Sequence, residues 1–318
     1  MNPFVFIVGC QRSGTTLLRR MVDANPHIAI IHESRWIPDF YHDRVGMTPA
    51  GRVSRDLIPP LLEHKRFPNL EMSREDLEGL VPNGSLVPYP RFVAAVFDLY
   101  AKRRDKRLAG DKTPSYVRSI PVLHALFPEA KFVHIIRDGR DVCLSAINWR
   151  SGGELRRRFV PLHDDTVTTN ALWWDWLVRT GRETGSSLEP DLYHEVRYEA
   201  LVSDPGETCR KLCAFLAIPY HDAMLRFHEG RERPKPGRSA KNAWLRVTEG
   251  LRDWRTEMSP EEICRFEAAA GDLLEDLGYE RSCPRPGKRI FEKVARARET
   301  FAQELLARDD RPPRSWER

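Results

Sequence analysis

The stretch Val5-Phe6-Ile7-Val8-Gly9-Cys10-Gln11-Arg12-Ser13-Gly14-Thr15-Thr16-Leu17-Leu18 decides the fold. Residues 4–8 form a short, β-rich apolar run, residues 9–14 a glycine-containing loop, and Leu17, Leu18, Met21 and Val22 recur at helical spacing. In a strand, loop and helix joined this way, the loop N–H groups and the helix N-terminus face one point, where an anionic group is favoured. A Walker A loop would place lysine where Thr15 stands. Without it the β- and γ-phosphates of ATP lose their main point charge, so phosphoryl transfer from ATP is disfavoured. Arg12 supplies a cation from inside the loop instead.

Outward from this start the pattern alternates. Ile28 to Ile31 reads as a buried strand leading into His32-Glu33-Ser34-Arg35, Leu108 to Lys112 as a strand end, Lys131 to Ile136 as a buried strand and Tyr193 to Tyr198 as a further one. Helical patterns lie at 119–127, after Arg137-Asp138-Gly139-Arg140 to about Trp149, at 173–182 and 205–217, and at 259–277 with Gly278 as cap. Strands alternating with helices predict an α/β chain with a three-layer, P-loop-like fold: a central parallel sheet flanked by helices. Residues 40–108 are helical, polar and broken at Pro59-Pro60, Pro68 and Pro82-Asn83-Gly84, which reads as a helical insertion without a separate core. The expected organisation is one domain over 1–282, then a charged helix at 288–307 and a disordered tail from Arg308 to Arg318 within 283–318.

The chain has 318 residues, 41% of them hydrophobic, enough for one large domain, and a formal net charge of +5. That balance suits a site that attracts anions and falls short of a nucleic-acid binder's usual excess. Cys10, Cys143, Cys209, Cys213, Cys264 and Cys283 are scattered without CxxC pairs or neighbouring histidines, so we expect six reduced thiols and no metal site. No run approaches membrane-spanning length and the chain opens directly on its first strand, which together imply a cytoplasmic protein.

Arg12-Ser13-Gly14-Thr15-Thr16-Leu17 resembles the 5′-phosphosulfate loop of the sulfotransferases that use 3′-phosphoadenosine 5′-phosphosulfate (PAPS). Asp23-Ala24-Asn25-Pro26, Glu33-Ser34-Arg35 and Ile37-Pro38 are most similar to the tyrosylprotein branch, with related bacterial enzymes close in style. Arg137-Asp138-Gly139-Arg140-Asp141 and Ser145 resemble the family's 3′-phosphate motif; a strand-end arginine and a serine two helical turns later can converge on one phosphate. Alone, Arg-Asp-Gly-Arg is an ordinary salt-bridged turn; paired with the first loop it points to PAPS over ATP. The likeness runs in order from residue 4 to about 280, outside 40–108 and the tail.

The resemblance implies roles. Arg12, Ser13, Gly14, Thr15 and Thr16 would hold the 5′-phosphosulfate, Arg137, Ser145 and less securely Arg150 the 3′-phosphate, and Tyr198 would approach the adenine. Glu33 matches the family's base, with His32 behind it because strand alternation would point it to the opposite side. Lys112 and Arg12 would stabilise charge on the transferring group, joined by Ser239 in the basic loop 230–243, and Lys241 or Arg246 would close over the nucleotide. The implied acceptor is a hydroxyl-bearing small molecule (phenol, sugar or natural-product alcohol) or, second, a tyrosine-containing peptide, with PAP as the nucleotide product, no metal, and room for a homodimer. The structural alternatives are an Arg35-paired Glu33, a solvated Lys112 and a core-packed Tyr198. The functional rivals are a small-molecule P-loop kinase, a nucleotide-binding module without chemistry, and a basic RNA-binding domain, which lacks the expected aromatic-interleaved basic strand.

Overall fold

The computed structural model describes residues 2–148, 159, 162, 164–229, 247, 253–308, 310, 312, 313 and 316. The strands in chain order are β1 (Val5–Gly9), β2 (Ile28–His32), β3 (Arg52–Val53), β4 (Val87–Pro88), β5 (Leu108–Lys112), β6 (Lys131–Ile136) and β7 (Tyr193–Arg197). Five of them form one sheet in the order β2-β5-β1-β6-β7, every neighbouring pair parallel. β1 is buried along its whole length, as a strand covered on both faces must be. Its side chains alternate between two cores: Phe6 and Val8 join one face, Val5 and Ile7 the other.

The chain winds from β1 outward to β2 at one edge, returns through β5, and then crosses to β6 and β7 on the other side of β1. The direction of winding therefore reverses at β1, and the carboxyl end of that strand is the switch point at which open α/β sheets take ligands. The three-layer, parallel-sheet expectation holds. The helix expected at 173–182 is longer, Thr166–Gly185, and the one expected to reach 149 is described as Gly139–Ile147.

Residues 40–108 fold as short helices around the antiparallel pair β3 and β4, with the longer helix Tyr89–Lys102 returning to the sheet. Leu57, Leu61, Leu70, Leu77 and Phe97 are buried in the same cluster as Phe6 and Val8, so this segment shares the main core. Among the described residues no helix is long and apolar enough to cross a membrane.

Two expectations are corrected at the C-terminal end. Cys264 and Cys283 form a disulfide with Cα atoms 5.1 Å apart, leaving Cys10, Cys143, Cys209 and Cys213 as buried free thiols. Gly278, at φ +76°, turns the chain back after the helix Pro260–Asp276, and that reversal brings together two cysteines that carry no spacing signal. The tail expected to be disordered also makes contacts: Trp316 donates its indole N–H to Asp175 Oδ2 at 2.6 Å, and Arg118 pairs with Asp310 at 3.3 Å.

The helix Lys288–Leu306 buries Val294, Phe301 and Leu305. The Phe301 ring stacks on Phe159 with centroids 4.0 Å apart and meets the edges of Trp176 and Trp316. Phe301→Ala should lower the unfolding free energy by about 3–5 kcal/mol in urea titrations, the cost of emptying a packed aromatic site. A loss below about 1 kcal/mol would mean that this helix lies on the domain without stabilising it.

Candidate active site

Each strand of the parallel sheet delivers a candidate residue at its carboxyl end. Gly9 ends β1 and opens the phosphate loop, Glu33 follows β2, Lys112 ends β5, Arg137 follows β6 and Tyr198 follows β7. The register holds them side by side: Ile7 pairs with Lys112, His32 with Lys112, and Gly9 with Ile135.

The loop after β1 needs glycine at two places for different reasons. At Gly9 (φ +147°) a Cβ would lie 2.5 Å from the Ile135 carbonyl oxygen, and at Gly14 (φ +93°) 2.4 Å from the Tyr198 ring. Tyr198 is thus buried and packed against the loop, as the core-packing alternative has it, with its ring on the side of the sheet edge where the loop opens. Gly14 caps the helix Thr15–Asp23 without a side-chain bond, leaving the first-turn N–H groups directed outward. Ser13 Oγ is buried without a hydrogen-bond partner among the described residues.

Arg12 joins the loop after β1 to the helix after β6. Its backbone is left-handed (φ +77°) and its Nε donates to Ser145 Oγ at 2.9 Å. The arginines of Arg137-Asp138-Gly139-Arg140 divide the work. Arg140 is locked into a buried network with Asp138 at 2.8 Å and Glu267 at 2.7 Å, and lies 3.6 Å over the Trp254 ring, which gives that tryptophan a structural role. Arg137 instead lies 4.3 Å over the Tyr198 ring and donates to Asp141 at 3.0 Å, while its Nε is buried without a partner among the described residues.

Glu33 sits in a knot of charge. Lys112 Nζ lies 2.9 Å from Oε1, and Arg35 and Arg66 each 3.1 Å from Oε2. The Arg35 pair foreseen as the structural alternative is present together with the Lys112 contact. The solvated alternative for Lys112 is excluded, since its side chain is 1% exposed. Burial alone would raise the Glu33 carboxyl, but the bonded Lys112 ammonium, with Arg35 beside it, holds it down at about 2. Burial lowers Lys112 in turn, against the pull of that carboxylate.

His32 departs from expectation. Glu33 is itself left-handed at φ +61°, so strand alternation ends one residue early and the His32 ring comes within 4.0 Å of Glu33 Oε1. Burial, then the charges of Lys112 and Arg19, push His32 down to about 3, which keeps the ring neutral.

Four residues missed in the sequence hold the Glu33 turn. Ser34 N donates to Asp111 Oδ2 at 2.9 Å, Tyr116 Oη meets Ser34 Oγ at 2.9 Å and accepts from Ile37 N at 3.2 Å, and Asn69 Nδ2 donates to the carbonyls of His32 and Glu33. Arg66 is the fourth. No spacing marks any of them; only Asp111, beside Lys112, is near a residue already singled out. Arg150, Ser239, Lys241 and Arg246 lie outside the described residues.

Comparison with known proteins fits this arrangement. The sulfotransferase family profile matches residues 3–222. The chain is 28% identical over 286 residues to the protein-tyrosine sulfotransferase of Drosophila melanogaster, covering 87% of this chain and 52% of that one, and 26% identical over 298 residues to human protein-tyrosine sulfotransferase 1, covering 87% and 70%. It thus spans about half the length of the fly relative. It is also 25% identical to the omega-hydroxy-beta-dihydromenaquinone-9 sulfotransferase of Mycobacterium bovis, over 90% of this chain and 78% of that one. The sulfotransferase domain of the curacin biosynthetic pathway has the same fold, with TM-score 0.61 and 22% identity over 87% of this chain and 98% of that one. With a glycine-bearing loop at the switch point, a second basic segment bonded to it and a family profile that matches most of the chain, this chain belongs to the sulfotransferase family.

Proposed function

We propose that this chain transfers a sulfuryl group from PAPS to an acceptor hydroxyl, with Glu33 as general base and Arg12 and Lys112 carrying the developing charge. The observation that supports this most is the buried Glu33–Lys112 pair at the edge where the phosphate loop opens. It puts a proton acceptor and a cation next to each other beside an anion cradle, and in-line transfer to a hydroxyl needs all three.

The residues present fit the nucleotide. Ser13 Oγ and Arg137 Nε are buried polar atoms without partners among the described residues, both within the two signatures. Ser13, Gly14, Thr15, Thr16 and Arg12 would hold the 5′-phosphosulfate, Arg137 and Ser145 the 3′-phosphate, and Tyr198 the adenine side, with Arg150, Ser239, Lys241 and Arg246 as further proposed contacts. Bound PAPS supplies the sulfuryl group and leaves as PAP. Lys112 Nζ, turning from Glu33 toward the transferring group, would both neutralise charge there and free the carboxylate to take the acceptor's proton. A carboxylate held low by a bonded ammonium is a weak base, and this exchange of partners would strengthen it. Arg12, tied to Ser145, keeps its charge fixed between the two phosphate subsites.

The acceptor is a hydroxyl of a small molecule or, second, of a tyrosine-containing peptide. The named relatives act on protein tyrosine and on an omega-hydroxy menaquinone, which keeps both classes in view.

Calorimetry with PAP and AMP tests the cofactor. PAP should bind at least about 100-fold more tightly, because two charge-assisted contacts to the 3′-phosphate contribute roughly 3 kcal/mol. Arg137→Ala should remove most of that difference, and equal affinities in the parent protein would overturn the assignment. Tighter binding of ATP, with turnover abolished by EDTA and restored by magnesium, would favour the kinase instead.

Glu33→Gln tests the base. With an acceptor found by screening for radiolabelled sulfate transfer, turnover should fall by about 10² to 10⁴ while PAP affinity holds. Arg12→Ala and Lys112→Ala should damage both quantities. Near-normal turnover in Glu33→Gln would move the base elsewhere, with His32 the next to test.

A further inference from the structure

We infer that Arg66 and Asn69, carried by the insertion, are positioning residues that clamp the Glu33 turn and fix the orientation and charge of its carboxylate. This rests on the reading of Glu33 as the base.

The clamp follows from local geometry. Residues 67–70 form a single 3-10 turn, Phe67–Leu70, with Pro68 setting its first step. In such a turn side chains three apart eclipse one another. Phe67 and Leu70 therefore go together into the core, and Arg66 and Asn69 together onto the end of β2. β2 is the edge strand of the sheet, so the last carbonyls on its outer side have no neighbouring strand to donate to them. Asn69 Nδ2 fills that need at His32 and Glu33, and holds the residue whose left-handed backbone is otherwise unfavourable.

The Arg66 contact is not built like a surface ion pair. Its guanidinium reaches a carboxylate that is only 15% exposed, and its own Nε is buried without a partner among the described residues. Leaving a buried donor unpaired costs stability, so the geometry serves the carboxylate more than the fold. The charged or titratable groups facing Glu33 are His32 from β2, Lys112 from β5, Arg35 from the turn and Arg66 from the insertion, with Asp111 of β5 bearing on Lys112 and Arg19 of the first helix on both His32 and Lys112. Once Lys112 serves the transferring group, Arg35 and Arg66 remain to hold Glu33 ionised.

Two measurements test this. Hydrogen-exchange mass spectrometry over residues 28–42 needs no acceptor: Asn69→Ala should speed exchange at the Glu33 and Ser34 amides by about tenfold or more, with Arg103→Gln, a surface pair of the same insertion, as the silent control. The pH dependence of kcat is then read with radiolabelled PAPS and N-acetyltyrosinamide, an uncharged phenol that offers Arg66 no charge to recognise. Arg66→Gln should move the acidic limb of kcat upward by about half a unit or more, because losing a cation raises the carboxyl, and Arg66→Lys should restore much of the shift. PAP affinity and melting temperature should hold in Arg66→Lys. Unchanged exchange in Asn69→Ala, or an unmoved limb with the loss wholly in KM, would overturn the clamp. Glu33→Gln, run alongside, separates the two readings: an inactive Glu33→Gln with an unmoved limb in Arg66→Gln sinks the clamp alone, and an active Glu33→Gln sinks the base and the clamp with it.

Discussion

Parallel pairing is the constraint on which the site depends. In a parallel sheet every strand ends on the same edge, so residues scattered along the chain at 9, 33, 112, 137 and 198 become neighbours through backbone hydrogen bonds alone. The ladder even continues one step past β2, where Glu33 N donates to the Lys112 carbonyl at 2.9 Å. That bond sets two side chains of opposite charge next to each other before any side-chain preference acts. The remaining contacts of the turn, from Asp111, Tyr116 and Asn69, preserve this juxtaposition.

The juxtaposition has an energetic consequence. A buried ammonium and a nearly buried carboxylate each carry a desolvation penalty, and each is tolerable because the other is present. Arg35 and Arg66 add positive charge on the far oxygen, so the knot carries more cation than anion. Such an excess favours a further anion, which is what a sulfuryl donor brings. The Arg140–Asp138–Glu267 network shows the opposite design: two carboxylates and the Glu280 carbonyl accept from the Arg140 guanidinium, and the Ser282 and Cys283 N–H groups donate to Glu267. Dense pairing there anchors Arg140, whereas Arg137 Nε has no partner among the described residues.

The parallel sheet and the glycine-bearing loop after β1 were legible because each depends on local pattern, an apolar run followed by a loop and a helical spacing, whereas Glu33, Lys112, Arg137 and Tyr198 were singled out by resemblance and their place at strand ends is what the sheet adds. The division of labour between Arg137 and Arg140 was not legible, because it depends on Glu267, more than a hundred residues away in sequence. Arg66 and Asn69 were illegible for a related reason. Their role comes from an eclipsed 3-10 turn laid against an edge strand, and Arg66-Phe67-Pro68-Asn69 read alone is an ordinary polar turn. The disulfide and the docking of Trp316 likewise arise from chain reversal at Gly278 and from packing on the helix Thr166–Gly185, neither of which leaves a spacing in the sequence.

Backbone strain gives independent weight to the same residues. Among the described non-glycine residues with positive φ, Arg12, Glu33 and Arg35 all lie at strand carboxyl ends in the site, and each carries a charge. A left-handed backbone is unfavourable for side chains of this size, so it persists only where surrounding contacts over-determine it. At Arg12 the Ser145 bond does so, and at Glu33 the Lys112 carbonyl and Asn69 amide do so from opposite sides. In each case the effect is to turn a charged side chain out of the strand direction and toward its neighbours. A glycine would relieve the strain and lose the charge. Arg44, Glu71 and Asp105 are charged and left-handed too, at exposed positions, so it is the Ser145, Lys112 and Asn69 contacts, more than the charge itself, that set Arg12 and Glu33 apart and aim their side chains.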